Sequence, residues 1–225
     1  TPKAEKVRKL LAKSYKNFAA KASDCIVVIG GDGFMLDILR KYEKFKKPFY
    51  GINTGKRGFL LNKFISGDLI SKINKSSEIF LFPLEAKIKT RNKKKKIIAI
   101  NEVSVFRQSK QTTLLEIKLN KKRRIKELVG DGILVATPAG STAYNMSARG
   151  PILNLDSQYL AVTPISPFKP RGWRGAIVSN QSKIIIKNLD IKKRPVSAVA
   201  DNVEVKNIKF FEIKLNKNKK LILLY

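Results

Sequence analysis

The chain has 225 residues, with 47 Lys or Arg against 17 Asp or Glu, so its formal net charge is +30. It has no His and one Cys, which excludes a Ser-His-Asp triad, His-ligated zinc, an internal disulfide and a Cys-ligated cluster. A general base must therefore be Asp, Glu, Lys or Tyr, and a metal must be a hard cation on oxygen ligands. The single Cys favours a reducing, cytoplasmic location.

The positive charge is mostly Lys, spread along the chain with short runs at 93–96 and 121–124. We interpret it as a solvated surface that attracts anionic substrates. The alternative is a basic nucleic-acid-binding module. Because the Lys residues are scattered, we expect no specific nucleic acid as a partner. No apolar run approaches the length of a membrane span, so we expect no membrane as a partner either.

The first third of the chain alternates helical and strand patterns, which indicates an α/β layer. It begins with Thr1 and Pro2, a typical N-cap and N1 pair, and its first strand is a β-branched run typical of burial on both faces. Because a parallel sheet normally places a strand before its first helix, we expect a further strand before Thr1. The predicted elements are helices at 3–18, 35–42 and 68–73 and strands at 25–29 and 48–52.

After about residue 80 the pattern changes to strands separated by polar or basic turns, such as 92–96 and 120–124, which favours an all-β domain. We therefore predict an α/β domain over 1–80 and a mainly β domain over 81–225, with a last strand that can return to the first domain. The predicted strands are 80–90, 97–106, 112–119, 133–136, 160–162, 183–187, 196–200, 210–214 and 221–224.

A Gly-Gly-Asp-Gly turn formed by Gly30, Gly31, Asp32 and Gly33 lies between a predicted strand and helix. Ligands of open α/β sheets bind beyond the carboxyl ends of strands. Glycines there let the backbone approach phosphates, and a helix N-terminus favours anions. Asp32 could accept a proton or hold a cation. The alternative is a tight turn with Asp32 as an N-cap.

Asn101 and Glu102 interrupt an apolar strand. Adjacent strand residues point to opposite faces, so one of the two side chains could enter a site. Such a pair would accept and donate hydrogen bonds to hydroxyls or an adenine edge. The alternative is a polar pair on an edge strand.

The densest signal is the segment 130–145, in which an apolar strand ends in Thr137-Pro138 and a turn of small and hydroxyl residues follows. Thr142 is predicted to cap a short helix. Small residues allow a flat ligand to lie on the backbone, and free N–H groups can meet phosphate oxygens.

Together these elements resemble the NAD kinase family, the ATP-dependent 2′-kinases of NAD, in its compact bacterial form. The Gly-Gly-Asp-Gly element is shared with diacylglycerol and sphingosine kinases, so a lipid kinase is an alternative, and a kinase fold that only senses nucleotides is another. The elements that carry the resemblance are, in chain order, 30–33, 53–55 with 58–60, 101–102, 131–132 through 137–144, and 163–167.

The resemblance implies an α/β, Rossmann-like N-terminal domain and a β-sandwich-like C-terminal domain, with NAD between them. It implies transfer of the γ-phosphoryl group of ATP to the 2′-hydroxyl of the adenosine ribose, with Asp32 catalytic, Gly30, Gly31 and Gly33 at the phosphates, and Mg²⁺ as the divalent cation. The implied NAD contacts are Asp32, Gly33, Asn101, Glu102, Asp131, Ala139, Thr142, Ala143, Tyr144, Asn145, Met146 and Ser147.

The resemblance also implies a homodimer or homotetramer, in which Asp131 can serve a neighbour's site. The chain departs from the family pattern at 201–203, where Asp-Asn-Val stands in place of the frequent Asp-Gly-Gln. We therefore assign no ligand role to that segment.

Overall fold

The computed structural model describes residues 1–56, 58–64, 67–90, 92–201 and 203–225. The chain divides into two compact units, one formed by Thr1–Leu81 together with Lys220–Tyr225 and the other by Phe82–Lys219. The last residues of the chain thus belong to the same unit as the first. Among the described residues, no helix is both long enough and apolar enough to cross a membrane.

The elements of the first unit are helices and short strands. The helices are α1 (Pro2–Ser14), α2 (Asp32–Tyr42) and α3 (Leu69–Lys75), with a single 3₁₀ turn at Glu43–Phe45. The strands are β1 (Ile26–Gly30), β2 (Phe49–Asn53), β3 (Asn62–Lys63) and β4 (Glu78–Leu81), completed by the final strand of the chain, β17 (Leu221–Leu224).

The second unit consists of strands and one short helix, α4 (Tyr144–Ser147). The strands are β5 (Leu84–Thr90), β6 (Lys94–Ala99), β7 (Glu102–Arg107), β8 (Thr113–Leu119), β9 (Lys122–Gly130), β10 (Gly132–Ala136), β11 (Tyr159–Ile165), β12 (Ala176–Ser179), β13 (Ile184–Asn188), β14 (Val196–Ala200), β15 (Val203–Val205) and β16 (Ile208–Leu215).

In the first unit the strands β1, β2 and β17 lie parallel in one sheet, and β4 is antiparallel to β17. Tyr50 and Ile52 of β2 lie in an apolar cluster with residues of α1 and α3. Gly51, between them, points to the other face, where an added Cβ would lie 2.6 Å from Met35 Cε of α2. Because strand residues alternate between faces, helices cover both sides of this sheet.

Two predictions for this unit need correction. The Thr1 cap is confirmed, since its hydroxyl accepts the Ala4 N–H at 3.3 Å, but the helix ends at Ser14 rather than 18. The extended Tyr15 instead donates to Asp68 at 2.9 Å, at the start of α3. The strand predicted at 25–29 is present, but Val28 is its one fully buried residue, because β1 lies at an edge of the sheet.

In the second unit two six-stranded antiparallel sheets share one apolar core. The strand order is β12-β11-β10-β7-β14-β15 in one sheet and β6-β5-β16-β13-β8-β9 in the other. Fully buried side chains such as Leu115, Ile133 and Phe211 fill the space between them. The predicted fold class, α/β followed by a β-sandwich, is confirmed.

Two predicted strands are in fact strand pairs. The strand predicted at 80–90 is divided into β4 and β5 at Pro83, which has no N–H for a ladder hydrogen bond. The strand predicted at 97–106 is divided at Ile100 and Asn101, where the chain passes from one sheet of the sandwich to the other.

The turns predicted at 92–96 and 120–124 are shorter than expected, because their basic residues extend into β6 and β9. The first three residues of each strand are basic and exposed, so the apolar alternation that indicates a strand is absent there. Four strands were not predicted: β9, which has nine residues and begins in the basic turn predicted at 120–124, and β3, β12 and β15, which have four residues or fewer.

Candidate active site

Asp32 lies where β1 ends and α2 begins. Its carboxylate accepts the Phe59 N–H at 2.9 Å and the Leu60 N–H at 2.9 Å. The N-cap of α2 is Gly31, with no side-chain capping bond, so the reading of Asp32 as a cap is wrong. Asp32 is the first residue of the helix, and its carboxylate is held by a segment 27 residues downstream.

The glycines of this turn have two different surroundings. A Cβ added to Gly31 or Gly33 would meet nothing within 4 Å, whereas one on Gly30 would lie 2.9 Å from Phe34 Cδ1. Gly31 and Gly33 therefore border open space beside Asp32, where a ligand can approach the backbone. Gly30 is required for packing against α2, and its predicted phosphate contact stays a prediction.

Asn101 and Glu102 form a corner against the loop that follows β10. The Thr137 N–H donates to Asn101 O at 2.9 Å, and the Thr137 hydroxyl donates to Ile100 O at 2.7 Å. Glu102 begins β7 and pairs with Ala136. Asn101 precedes the strand, so the argument that the two residues occupy opposite faces of one strand does not apply. Hydrogen bonds to main-chain oxygens hold the corner against the loop.

The loop after β10 is shaped by buried polar side chains. Asn145 is fully buried, and its Nδ2 donates to Ser141 O at 3.1 Å and Pro151 O at 2.8 Å. Its Oδ1 accepts the Thr163 hydroxyl at 2.6 Å. Asn145 thus supports the loop from within, and its predicted contact with NAD stays a prediction.

The short helix α4 begins later than predicted. Its N-cap is Ala143, with no side-chain capping bond, so the prediction that Thr142 caps it is wrong. Two successive turns, closed by the Ser141 N–H on Pro138 O and the Ala143 N–H on Gly140 O, carry the chain past Thr142 first. Of the other predicted contacts here, Ala139 is buried, Thr142, Ala143 and Tyr144 are partly buried, and Met146 and Ser147 are exposed.

Glu102 is held in an unfavourable electrostatic environment. Burial, and then the negative charge of Asp201, raise the pKa of Glu102 to about 7. Asp201 accepts the Ile100 N–H at 2.9 Å and the Asn101 N–H at 3.3 Å. Within the described part of the chain, Asn101 Oδ1 and Glu102 Oε2 are buried atoms without a hydrogen-bond partner. Such orphan acceptors cost about 1–3 kcal/mol each, so a ligand that donates to them would bind favourably.

Because burial raises the pKa of Glu102, we expect the stability of the folded chain to depend on pH. In the unfolded chain this carboxyl ionises near its ordinary pKa of 4.5, whereas the folded chain keeps it protonated to about 7. The folded state binds the extra proton between these values, so its stability from this group falls as pH rises from 4.5 to 7. Glu102→Gln should therefore raise the Tm at pH 8 on the order of 5 °C above the parent, with little gain at pH 4.5.

Differential scanning calorimetry from pH 4.5 to 8.5 measures this effect. The matched control is Glu127→Gln, because Lys169 lowers the pKa of that exposed carboxyl instead. A Tm difference between parent and Glu102→Gln that does not change with pH would contradict the titration of Glu102.

Tyr144 lies near Asp131 and Glu102, two carboxylates that are predicted to contact NAD. Its ring centroid is 5.6 Å from that of Phe106. Burial, and then the charges of Asp131 and Glu102, raise the pKa of Tyr144. Asp131 in turn forms an ion pair with Arg107, Nε to Oδ1 at 2.5 Å. The structure thus groups Glu102, Asp131 and Tyr144 within the second unit.

Arg107 and Asp201 were not identified from the sequence as part of this site. Arg107 ends strand β7 and lies 24 positions before Asp131, its partner in the ion pair. Asp201 was noted as part of a departure from the family pattern, and its neighbour Asn202 lies outside the described residues. No local pattern in the sequence indicates either contact.

Comparison with known proteins decides the family. The family described as "ATP-NAD kinase N-terminal domain" matches residues 2–66, and "ATP-NAD kinase C-terminal domain" matches residues 100–218. The NAD kinase of Caulobacter vibrioides is 43% identical over 225 residues, which cover 100% of this chain and 86% of that protein. The chain belongs to the NAD kinase family. The NAD kinase of Zymomonas mobilis is 46% identical over 228 residues and is covered to 88%.

Solved structures share the fold of this NAD kinase. A yeast NADH kinase complexed with NADH has a TM-score of 0.76 at 21% identity, covering 97% of this chain and 72% of the other. An Archaeoglobus fulgidus NAD kinase in complex with ATP has a TM-score of 0.75 at 24% identity, with 98% and 88% covered. Neither a lipid kinase nor a nucleic-acid-binding module is favoured by these comparisons.

Over the part of the chain that the structure describes, no three His, Cys, Asp or Glu side chains are grouped so that they could hold a metal ion. NAD kinases are phosphotransferases that use a divalent cation. The described residues fit a divalent cation that takes one or two carboxylate oxygens from the protein and its other ligands from substrate or water.

Proposed function

We propose that this NAD kinase transfers the γ-phosphoryl group of ATP to the 2′-hydroxyl of the adenosine ribose of NAD, with Asp32 acting on that hydroxyl. The observation that carries this proposal is the Asp32 carboxylate at the start of α2, held by the Phe59 and Leu60 N–H groups and flanked by two glycines that border open space.

Asp32 serves as the general base in this mechanism. It takes the proton of the 2′-hydroxyl as the oxygen bonds to the γ-phosphorus and the bond from that phosphorus to the β–γ bridging oxygen breaks, which releases ADP. The two backbone N–H groups fix the carboxylate, so its orientation is set before the substrate arrives. A positioned base contributes about 10²–10⁴-fold to the rate. Since the chain has no His, a carboxylate is the natural candidate.

The donor phosphates are proposed to lie against the start of α2. Gly31 and Gly33 leave the backbone open to an approaching anion, and the first N–H groups of a helix carry partial positive charge. Gly30 is expected to support this turn by packing closely against Phe34 of α2.

NAD is proposed to bind the corner and loop of the second unit. The orphan oxygens of Asn101 and Glu102 would accept hydrogen bonds from its hydroxyl or amino groups. Tyr144, together with the small residues Thr142 and Ala143, would lie along a flat ring. The further contacts proposed from the family resemblance are Asp131, Ala139, Asn145, Met146 and Ser147.

The divalent cation is proposed to be Mg²⁺. When bound, Mg²⁺ would offset the negative charge that develops during phosphoryl transfer. Asp32 is the residue of the first unit that would contribute a carboxylate oxygen to it, as an alternative to its role as a base.

The proposed assembly is a homodimer or homotetramer, and the proposed location is the cytoplasm. The free Cys25 suits a reducing compartment, because burial raises the pKa of its thiol to about 11 and keeps it protonated. Multi-angle light scattering of the purified chain would measure the size of the assembly.

The test of the proposed function is NADP formation by the purified chain from NAD, ATP and Mg²⁺. Formation of NADP only when all three are present is the expected result. Phosphorylation of diacylglycerol, or steeply salt-dependent nucleic-acid binding without kinase activity, would instead support one of the two alternatives. NAD binding without turnover would indicate a nucleotide sensor.

A further inference from the structure

Arg107 contacts Asp131 through two hydrogen-bond donors and Ser109 through a third. Its main-chain N–H donates to Asp131 O at 3.0 Å, its Nε donates to Asp131 Oδ1 at 2.5 Å, and its Nη1 donates to Ser109 O at 2.8 Å. The Asp131 N–H is bonded to Ile165 O at 2.9 Å. Both the backbone and the carboxylate of Asp131 are therefore fixed, and the guanidinium is itself fixed at a second point.

The contribution of this ion pair to folding stability is expected to be small. The Arg107 and Asp131 side chains are 41% and 39% exposed, and ion pairs at this exposure contribute about 0–1 kcal/mol. The geometry has another consequence, since the guanidinium restrains Oδ1 and so sets the direction in which Oδ2 points. The guanidinium is planar and donates to two acceptors, so it restrains the direction of the carboxylate more specifically than a Lys ammonium could.

Arg107 also changes the charge around Asp131. Asp131 acts electrostatically on Tyr144, so its negative charge lies near residues that are proposed to bind an anionic dinucleotide. The positive charge of Arg107 offsets that of Asp131 at hydrogen-bond distance. Without it, the carboxylate would repel the two phosphates of NAD more strongly.

We propose that Arg107 is a positioning residue for NAD, which acts by orienting and partly neutralising Asp131. This proposal rests on the proposed function, in particular on a contact between Asp131 and NAD. According to this proposal Arg107 affects the affinity for NAD, and it affects neither the affinity for ATP nor the transfer step. The same holds whether Asp131 contacts the NAD of its own subunit or that of a neighbour.

The first test is Arg107→Met, which keeps the length of the side chain and removes its charge and donors. The KM for NAD should rise by about 3- to 10-fold, while kcat, the KM for ATP and the Tm stay close to the parent values. The matched control is Lys183→Met, which removes the ion pair from Lys183 Nζ to Glu212 Oε1 at 3.2 Å, in which Lys183 is as exposed as Arg107, at 41%. This control should leave every parameter unchanged.

The second test is a double-variant cycle with Asp131→Asn. If Arg107 acts through Asp131, Arg107→Met should have no further effect on the KM for NAD in the Asp131→Asn background, and Arg107→Lys should lie between parent and Arg107→Met. An unchanged KM for NAD in Arg107→Met, or equal effects of that change in both backgrounds, would overturn the proposal. A parent chain that forms no NADP would instead overturn the proposed function.

Discussion

Asp32→Asn is expected to lower kcat by about 10²–10⁴-fold while the affinity for NAD changes by less than about threefold. The amide has the shape of the carboxylate, and its oxygen can still accept the Phe59 or Leu60 N–H that Asp32 accepts now. It cannot accept the proton of the 2′-hydroxyl. Steady-state formation of NADP, with NAD binding measured by calorimetry, separates the two effects.

The matched control for this variant is Asp37→Asn. Asp37 lies on the same helix, is 64% exposed and pairs with Arg40 at 2.9 Å, so its loss should leave turnover unchanged. Asp32→Ala should differ from Asp32→Asn in lowering the Tm as well, because it leaves two partly buried N–H groups without an acceptor. Normal turnover in Asp32→Asn would overturn the assignment of Asp32 as the base.

The dependence of Asp32→Asn on metal concentration distinguishes the two roles considered for Asp32. A carboxylate that contributes a ligand to Mg²⁺ should, when lost, raise the Mg²⁺ concentration needed for half-maximal rate, so that excess metal restores part of the activity. A carboxylate that serves as the base should leave that concentration unchanged and the rate low at every concentration of metal.

The sequence was sufficient to predict the three helices of the first unit and its strands β1 and β2, since these elements are coded locally. Apolar residues recur at helical spacing in α1 and α2, and a β-branched run forms β1. The main errors arose where a distant residue competes with local propensity. Tyr15 continues the helical pattern, yet its hydroxyl is bonded to Asp68, 53 positions later, and the helix ends before it.

The second unit was predicted as all-β, but its connections were not. Ile97 and Val103 read as one apolar run, although a change of sheet at Ile100 and Asn101 separates β6 from β7. The apolar residues at the adjoining ends of both strands are mostly buried, so they look alike in the sequence. Alternation reports which side of a strand faces a core, and it does not report which of two sheets the strand joins.

The candidate site shows the same division between local and distant information. Asp32 and the residues around Thr142 belong to contiguous motifs, so spacing and residue type were enough to select them. Arg107 and Asp201 act through contacts 24 and about 100 positions away. A salt bridge or a carboxylate on two N–H groups leaves no periodic trace in either segment, so only the fold shows what these residues do.

Gly140→Ala is expected to weaken NAD binding by at least about tenfold and to lower the stability of the second unit by about 1–3 kcal/mol. A Cβ at this position would lie 2.3 Å from Asn101 O and 2.5 Å from Asn101 C, which is closer than unbonded atoms can approach. Both are backbone atoms that no rotamer change can move, so the loop that carries Thr142 and Tyr144 must move away from the corner at Asn101.

Calorimetric titration with NAD and thermal unfolding measure the two expected losses in Gly140→Ala. Gly172→Ala is the control, because a Cβ there meets nothing within 4 Å while its positive φ of 74° makes the substitution strained. That control should lower the Tm by the cost of the backbone strain alone and leave NAD affinity unchanged. Parental affinity in Gly140→Ala would show that the close approach of the loop to Asn101 is not what forms the NAD site, and the corner would then have to bind NAD without the loop.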